Sequence, residues 1–301
     1  MDQGSPRPLA IVLPLAATVA AMASFQIGAA VAKSLFPAVG PVGAVTLRLV
    51  LGAAMLLALT RPWRAWPRPA PVGRLVLLGV SMAATIVAFY EAIARLPLGI
   101  AIALQFLGPL TVAVFGSRRA SHLLWAVLAA AGVWALTGVG AAKAVDLTGV
   151  AWALGAAVGW ASYIVVGRQV SAVFGQATAA LSVAIAAAVV LPFGVAHAGV
   201  ALISPSRLPL ALLVGLLSAA VPFSLEFYAM PRMPARTFAT FTSLEPAFGV
   251  LSGLVLLNER LNLIQIGGVA AVIAAAAGAA WSSSERRANL PDDNVADAPP
   301  N

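Results

Sequence analysis

Glu245, Glu226, Glu91 and Arg48 stand inside long apolar stretches of the sequence. A charge held in hydrocarbon costs roughly 2.5–3.5 kcal/mol on insertion scales, so each needs a cavity, a partner or a function. Glu245 ends the run Thr-Phe-Thr-Ser-Leu-Glu and is followed by Pro246. Proline has no N–H. In a continuous helix it takes the donor from the carbonyl of Thr242 and pushes Glu245 out of helical geometry. Such a kink would present a carboxylate, a carbonyl and the hydroxyls of Thr242 and Ser243, a set able to hold an ammonium or a proton. The plainer alternative is a proline kink whose glutamate pairs with an arginine.

Pro109 repeats the design more softly, by taking the donor from the carbonyl of Gln105. The Gln105 side chain offers both a donor and an acceptor, and an interhelical hydrogen bond would account for it equally well. Glu226 follows a third kink residue, Pro222, by four positions, and Glu91 lies beside Tyr90. Either carboxyl is a candidate proton carrier, and either could instead reach the membrane interface. Arg48 has the planar fork that grips a carboxylate, on a glutamate or on a substrate, and Gln26 could join it. Lys33 is expected to snorkel to the interface.

Other chemistries are excluded or weak. With no cysteine there is no disulfide, thiolate metal site or cysteine nucleophile. The two histidines, His122 and His197, lie far apart near expected helix ends, so no metal site is expected. No phosphate loop and no soluble domain large enough to bind ATP fits in the chain. No cofactor is expected, and transport, if that is the activity, is secondary. Protons are the default coupling ion.

The elements that must position these residues are membrane helices. Of 301 residues, 61% are hydrophobic and 9% charged, against about 25% charged in a soluble domain. The apolar residues come in blocks rather than stripes, the mark of helices facing lipid. At about 20 apolar residues per crossing, ten segments are expected: 9–33, 41–60, 72–95, 97–116, 120–139, 148–168, 175–197, 208–230, 234–257 and 261–282. The first is too long for a signal-peptide core and no clear cleavage site follows it, so it reads as a retained helix. The net charge of +8 sits in short gaps between blocks, not on one polar face, which argues against nucleic acid as a partner.

Basic residues set the orientation. With the N-terminus inside, inner loops and tails hold twelve: Arg7, Arg61, Arg64, Arg68, Arg74, Arg118, Arg119, Arg168, Arg232, Arg236, Arg286 and Arg287. The outer side holds five: Lys33, Arg95, Lys143, Arg207 and Arg260. Both termini are therefore expected in the cytoplasm of a bacterial inner membrane. The loop 61–71 carries Trp63 and Trp66 among its arginines and suits an anionic headgroup layer. Residues 283–301 turn polar, then acidic and proline-bearing, and are expected to be disordered.

A shift of 137 residues superposes Ser81 on Ser218, Arg95 on Arg232, Pro97 on Pro234, Pro109 on Pro246 and Gly116 on Gly253. It also brings Tyr90 onto Phe227 and maps the third and fourth segments onto the eighth and ninth. The unit is thus five helices, 9–139 and 148–282, after a short N-terminus 1–8. An odd number of crossings inverts the second unit. The expected fold is an all-α integral membrane protein of ten transmembrane helices in two inverted five-helix repeats, an arrangement that secondary transporters use for alternating access. The pairs Gly155–Gly159 and Gly249–Gly253 read as close helix packing.

The stretches 22–49, 97–119, 145–156 and 221–261 resemble amino-acid exporters of the EamA-type drug/metabolite transporter superfamily. The similarity runs over about 9–282. The long ninth segment ending in Glu-Pro, then a Gly-rich helix and Asn-Glu-Arg-Leu (258–261), carries it most specifically. The resemblance implies proton-coupled efflux of small neutral amino acids, threonine and homoserine foremost, with the substrate held at the centre by Gln26, Arg48, Gln105, Glu226 and Glu245. The chain departs from the pattern at Gln105, where relatives often carry glutamate in Leu-Glu-Phe-x-Gly-Pro. An amide cannot titrate, so coupling would fall to Glu226, Glu245 or Glu91. A broader metabolite exporter, a channel and a membrane-embedded enzyme are the competing classes. The enzyme is disfavoured because the polar residues lie at several depths rather than converging at one interface. The sequence leaves the oligomeric state open.

Overall fold

The computed structural model describes residues 8–67, 70–115, 121–137, 145–229, 232–233 and 235–288. Arg7, Arg68, Arg118, Arg119, Lys143, Gly116, Pro234 and the tail from 289 lie outside them. Among the described residues there is no β-strand. The helices are α1 (Pro8–Lys33), α2 (Phe36–Thr60), α3 (Val72–Ile93), α4 (Leu98–Gln105), α5 (Leu107–Phe115), α6 (Ser121–Thr137), α7 (Leu147–Phe174), α8 (Ala177–Ala198), α9 (Leu208–Gly215), α10 (Val221–Ala229), α11 (Ala235–Thr242), α12 (Glu245–Leu257) and α13 (Leu263–Ala288).

Seven helical spans are long and apolar enough to cross a membrane, and three shorter apolar stretches, Leu98–Val112, Leu123–Thr137 and Leu263–Ala279, bring the total to the ten expected. The chain is a multi-pass membrane protein. Two segments are broken and a third is distorted. The fourth is α4 and α5, parted at Phe106, and the ninth is α11 and α12, parted at Ser243–Leu244. The eighth runs through a π-helical turn, Leu216–Ala220, between α9 and α10.

Several ends differ from the sequence expectation. α2 starts at Phe36, five residues early, because Gly40 adopts φ 70 and lets the helix bend ahead of Pro41. A residue with a Cβ resists that conformation. α7 continues past Arg168 to Phe174: Arg168 is exposed, so a charge that marks a membrane boundary does not end the helix. α13 runs on to Ala288, into the stretch expected to be a disordered tail.

The bundle is held by contacts between helices far apart in sequence. α3 packs on α7 and α8, α2 on α8 and α9, α13 on α6, α1 on α10 and α12, α4 on α12, and α5 on α7. Small residues permit the close approaches, since lipid supplies no hydrophobic drive between helices. Gly132 of α6 and Gly268 of α13 face one another, and a Cβ on either would meet the other's carbonyl at 2.8 or 2.9 Å. Of the two glycine pairs noted in the sequence, Gly159, Gly249 and Gly253 sit at such contacts, against Thr85, Ile102 and Glu259, while Gly155 has room to spare.

Candidate functional site

Arg48 stands at the midpoint of α2, deeper than its place in the shorter expected segment, and it is only 8% exposed. Its Nη2 donates to the carbonyl of Ser218 at 3.0 Å and its Nη1 to the Tyr90 hydroxyl at 3.3 Å. The guanidinium also lies 5.4 Å from the centre of the Tyr90 ring. The Ser218 carbonyl is available for a local reason. Pro222, four residues on, has no N–H to give it, and the π turn shifts the neighbouring bonds by one residue. The same turn lets the Leu217 carbonyl accept from Ser24 Oγ of α1 at 2.7 Å. Arg48 is thus tied to backbone and phenol, and no carboxylate lies within ion-pair distance of it among the described residues.

Glu245 is the first residue of α12. Its Oε1 accepts from Gln26 Nε2 of α1 at 2.9 Å. The expected kink is instead a break. α11 ends at Thr242, the chain turns, and Pro246 falls in the first turn of a new helix, where its missing N–H costs nothing. The glutamate therefore sits at a helix N-terminus, which favours a negative charge. Ser243 is buried, and its hydroxyl is spent on the Thr240 carbonyl at 2.6 Å rather than turned to the site. Thr242 is half-buried.

Glu245 lies within the electrostatic reach of Arg48, and Glu226 within that of Glu245. Glu226, on α10, also faces Tyr163 of α7 electrostatically. Both carboxylates are half-buried. Gln105 is 8% exposed at the last turn of α4. The next residue, Phe106, meets Trp160 edge to face at 5.1 Å. Arg48, Gln26, Glu245 and Glu226 thus converge from the first, second, eighth and ninth segments.

Two polar atoms of this group, Gln26 Oε1 and Arg48 Nε, are buried without a hydrogen-bond partner, as is Ser218 Oγ beside them. Buried polar atoms are nearly always paired, so these three orphans make this the candidate site.

Glu91 does not belong to this group; it pairs with Arg95, four residues on and just past the end of α3. Lys33 does not snorkel freely. Its Nζ meets Glu259 Oε1 at 2.7 Å. Three partners escaped the sequence reading: Tyr90 as the ring beneath Arg48, Ser218 as its acceptor, and Glu259 as the mate of Lys33. Pro222 was the available signal for Ser218; the other two depend on the tertiary arrangement.

Residues 147–281 match the EamA-like transporter family. The chain is 48% identical over 278 residues to proteins named threonine/homoserine exporter RhtA from Escherichia coli (strain K12) and Salmonella typhimurium (strain LT2), covering 91% of this chain and 94% of each relative. One solved crystal structure superposes with a TM-score of 0.60 at 22% identity, covering 91% of this chain and 99% of that one. This likeness bears on the fold alone.

Proposed function

From the premise that the chain belongs to the EamA-like transporter family, and is a transporter rather than an enzyme, we propose that it exports small neutral amino acids of the threonine and homoserine kind by proton antiport. The observation that carries this reading is the charge pattern at the centre of the bundle. A zwitterion needs a cation and an anion side by side. Arg48, with Nε unpaired, would take the substrate carboxylate, and Glu245, tethered by Gln26, the ammonium. Glu226 would relay the proton. The names of the relatives agree with an amino-acid cargo.

Alternating access by two inverted five-helix repeats is supported by the packing. Adding five to each segment number turns third-on-sixth into eighth-on-first, third-on-seventh into eighth-on-second, and fourth-on-sixth into ninth-on-first. Second-on-seventh, fourth-on-ninth and fifth-on-tenth map onto themselves, and all of these pairs are present. A pseudo-two-fold relation through the midplane produces such closure. The basic-residue asymmetry supports both termini in the cytoplasm.

The test is efflux of radiolabelled threonine and homoserine from loaded proteoliposomes, with and without an imposed pH gradient. Saturable, gradient-dependent movement is expected, and Glu245→Gln and Glu226→Gln should each uncouple it from the gradient. Gradient-driven efflux that survives both substitutions would overturn the carboxylate assignment. Absence of movement by folded, inserted protein would shift the cargo to another metabolite class. Gln105, where the family resemblance leads one to expect a titratable glutamate and the chain has an amide, is the feature that favours that second outcome.

A further inference from the structure

One end of the bundle carries a contact that the central group of residues does not use. Lys33 is the last residue of α1, Leu98 the first of α4, and Glu259 follows α12. Glu259 accepts from both of the others: Oε1 from Lys33 Nζ at 2.7 Å and Oε2 from the backbone N–H of Leu98 at 2.7 Å. α4 needs this partner, because Pro97 at its N-cap gives no side-chain bond, and the first N–H groups of a helix have no intrahelical acceptor. The carboxylate also answers the positive end of the α4 dipole.

The loop is shaped to deliver Glu259 there. Asn258 takes a left-handed conformation, φ 53, and the Glu259 N–H returns to the Gly253 carbonyl at 2.9 Å. Gly253 leaves room for the glutamate, since any Cβ there would overlap its Oε2. Just below, Gly99 of α4 receives Val250 of α12, and Gly249 receives Ile102. So α4 and α12 touch tightly at this end, whereas among the described residues their continuations α5 and α11 are not one of the closely packed pairs.

We propose that Lys33, Glu259 and the α4 N-terminus form the extracellular gate of the transporter, held closed in this structure, and that release of substrate requires this clamp to break. The inference rests on the transport reading and its orientation. Its chemistry suits a gate. Two half-buried charges held by charge-assisted hydrogen bonds make a strong but reversible tie, and water entering from outside could solvate both once they part.

The chain has no cysteine, so a single Ile102→Cys reporter is clean. Ile102 is 2% exposed and lies beneath the clamp. In intact cells a membrane-impermeant maleimide should label it slowly from outside. Lys33→Ala and Glu259→Gln should each speed labelling by about tenfold, the shift expected from losing a hydrogen bond to a charged group, and Lys33→Arg should keep it slow. A second reporter, Leu78→Cys, fully buried in α3 away from the clamp, should not change. Unchanged Ile102→Cys labelling in both clamp variants would overturn the gate, and so would parallel acceleration of both reporters, which would make the clamp a general structural tie. Accelerated labelling in a protein that exports neither amino acid would leave the gate standing and defeat the transport assignment instead.

Discussion

Replacing Arg48 by lysine keeps the charge and removes the fork. The guanidinium makes two hydrogen bonds, 3.0 Å to the Ser218 carbonyl and 3.3 Å to Tyr90 Oη, and presents its plane 5.4 Å from the ring. An ammonium is a single point on a flexible stem. It can reach one of these acceptors and cannot offer a second edge to a carboxylate. Losing one hydrogen bond made by a charged group costs about 1.5–3 kcal/mol. At about 1.4 kcal/mol per decade this is roughly a ten- to hundredfold loss of transport efficiency. The assay is the initial rate of threonine efflux from proteoliposomes, with 1-amino-2-propanol, which lacks the carboxylate, as a competitor. The parent should discriminate strongly against that amine, and Arg48→Lys should both export slowly and lose much of the discrimination. Export within about twofold of the parent would leave no differential binding to explain. That result, or equal competition by the amine against the parent, would refute the placing of the substrate carboxylate at Arg48.

Three further outcomes follow from the same contacts. Gln26→Leu removes the 2.9 Å donor to Glu245 and should lower export efficiency by about tenfold or more, as loss of a bond to a charged acceptor does, read in the same efflux assay; unchanged export would detach Gln26 from the site. Pro222→Ala gives the Ser218 carbonyl a helical donor that competes with Arg48; export should fall while the melting temperature in detergent holds or rises, and a fall in both would mean that the proline is needed only for packing. Gly28→Ala would drive a methyl into Ser218 Oγ and the π turn and should cost about 1–3 kcal/mol, the usual range for overpacking. Gly267→Ala, with nothing within 4 Å, should be neutral or gain up to about 1 kcal/mol of helix propensity. Thermal melting of the two alanine variants side by side checks the pair.

The ten segments were legible because a bilayer demands a block of about 20 apolar residues whatever the helix packs against. The charged and amide residues of the candidate site were conspicuous for the same reason: in such blocks they stand out. Their partners were not. Lys33 and Glu259 are 226 positions apart, and each alone looks like an interfacial charge. Arg48 looked like half of an ion pair, yet its acceptors are a carbonyl and a phenol on other segments, which no local pattern announces. Ser243 is expected from the sequence to face the site, but its hydroxyl bonds the Thr240 carbonyl three residues back, an option open to any helical serine. The π turn at Leu216–Ala220 left no mark except Pro222 just beyond it.

Two prolines in different settings do opposite work, and the difference would account for how the proposed site is divided. Pro222 lies inside a continuous segment, so the carbonyl four residues earlier must find a donor elsewhere. In hydrocarbon an unpaired carbonyl costs several kcal/mol, and no water is there to relieve it. Arg48 relieves it, and the bond that results fixes the direction of the cation. Pro246 lies at the start of a new helix. Its missing N–H was never needed, so it frees the segment to break, and the break puts Glu245 at a helix terminus where an anion is favoured. A simple kink at Pro246 would have buried the glutamate side chain among helix flanks with no dipole in its favour. A break at Pro222 would have released the Ser218 carbonyl to rotate away from Arg48. In the proposed site, the separation of a cation from an anion thus follows from where each proline falls relative to its helix: Pro222 leaves the Ser218 carbonyl to Arg48 and Pro246 puts Glu245 at a helix start.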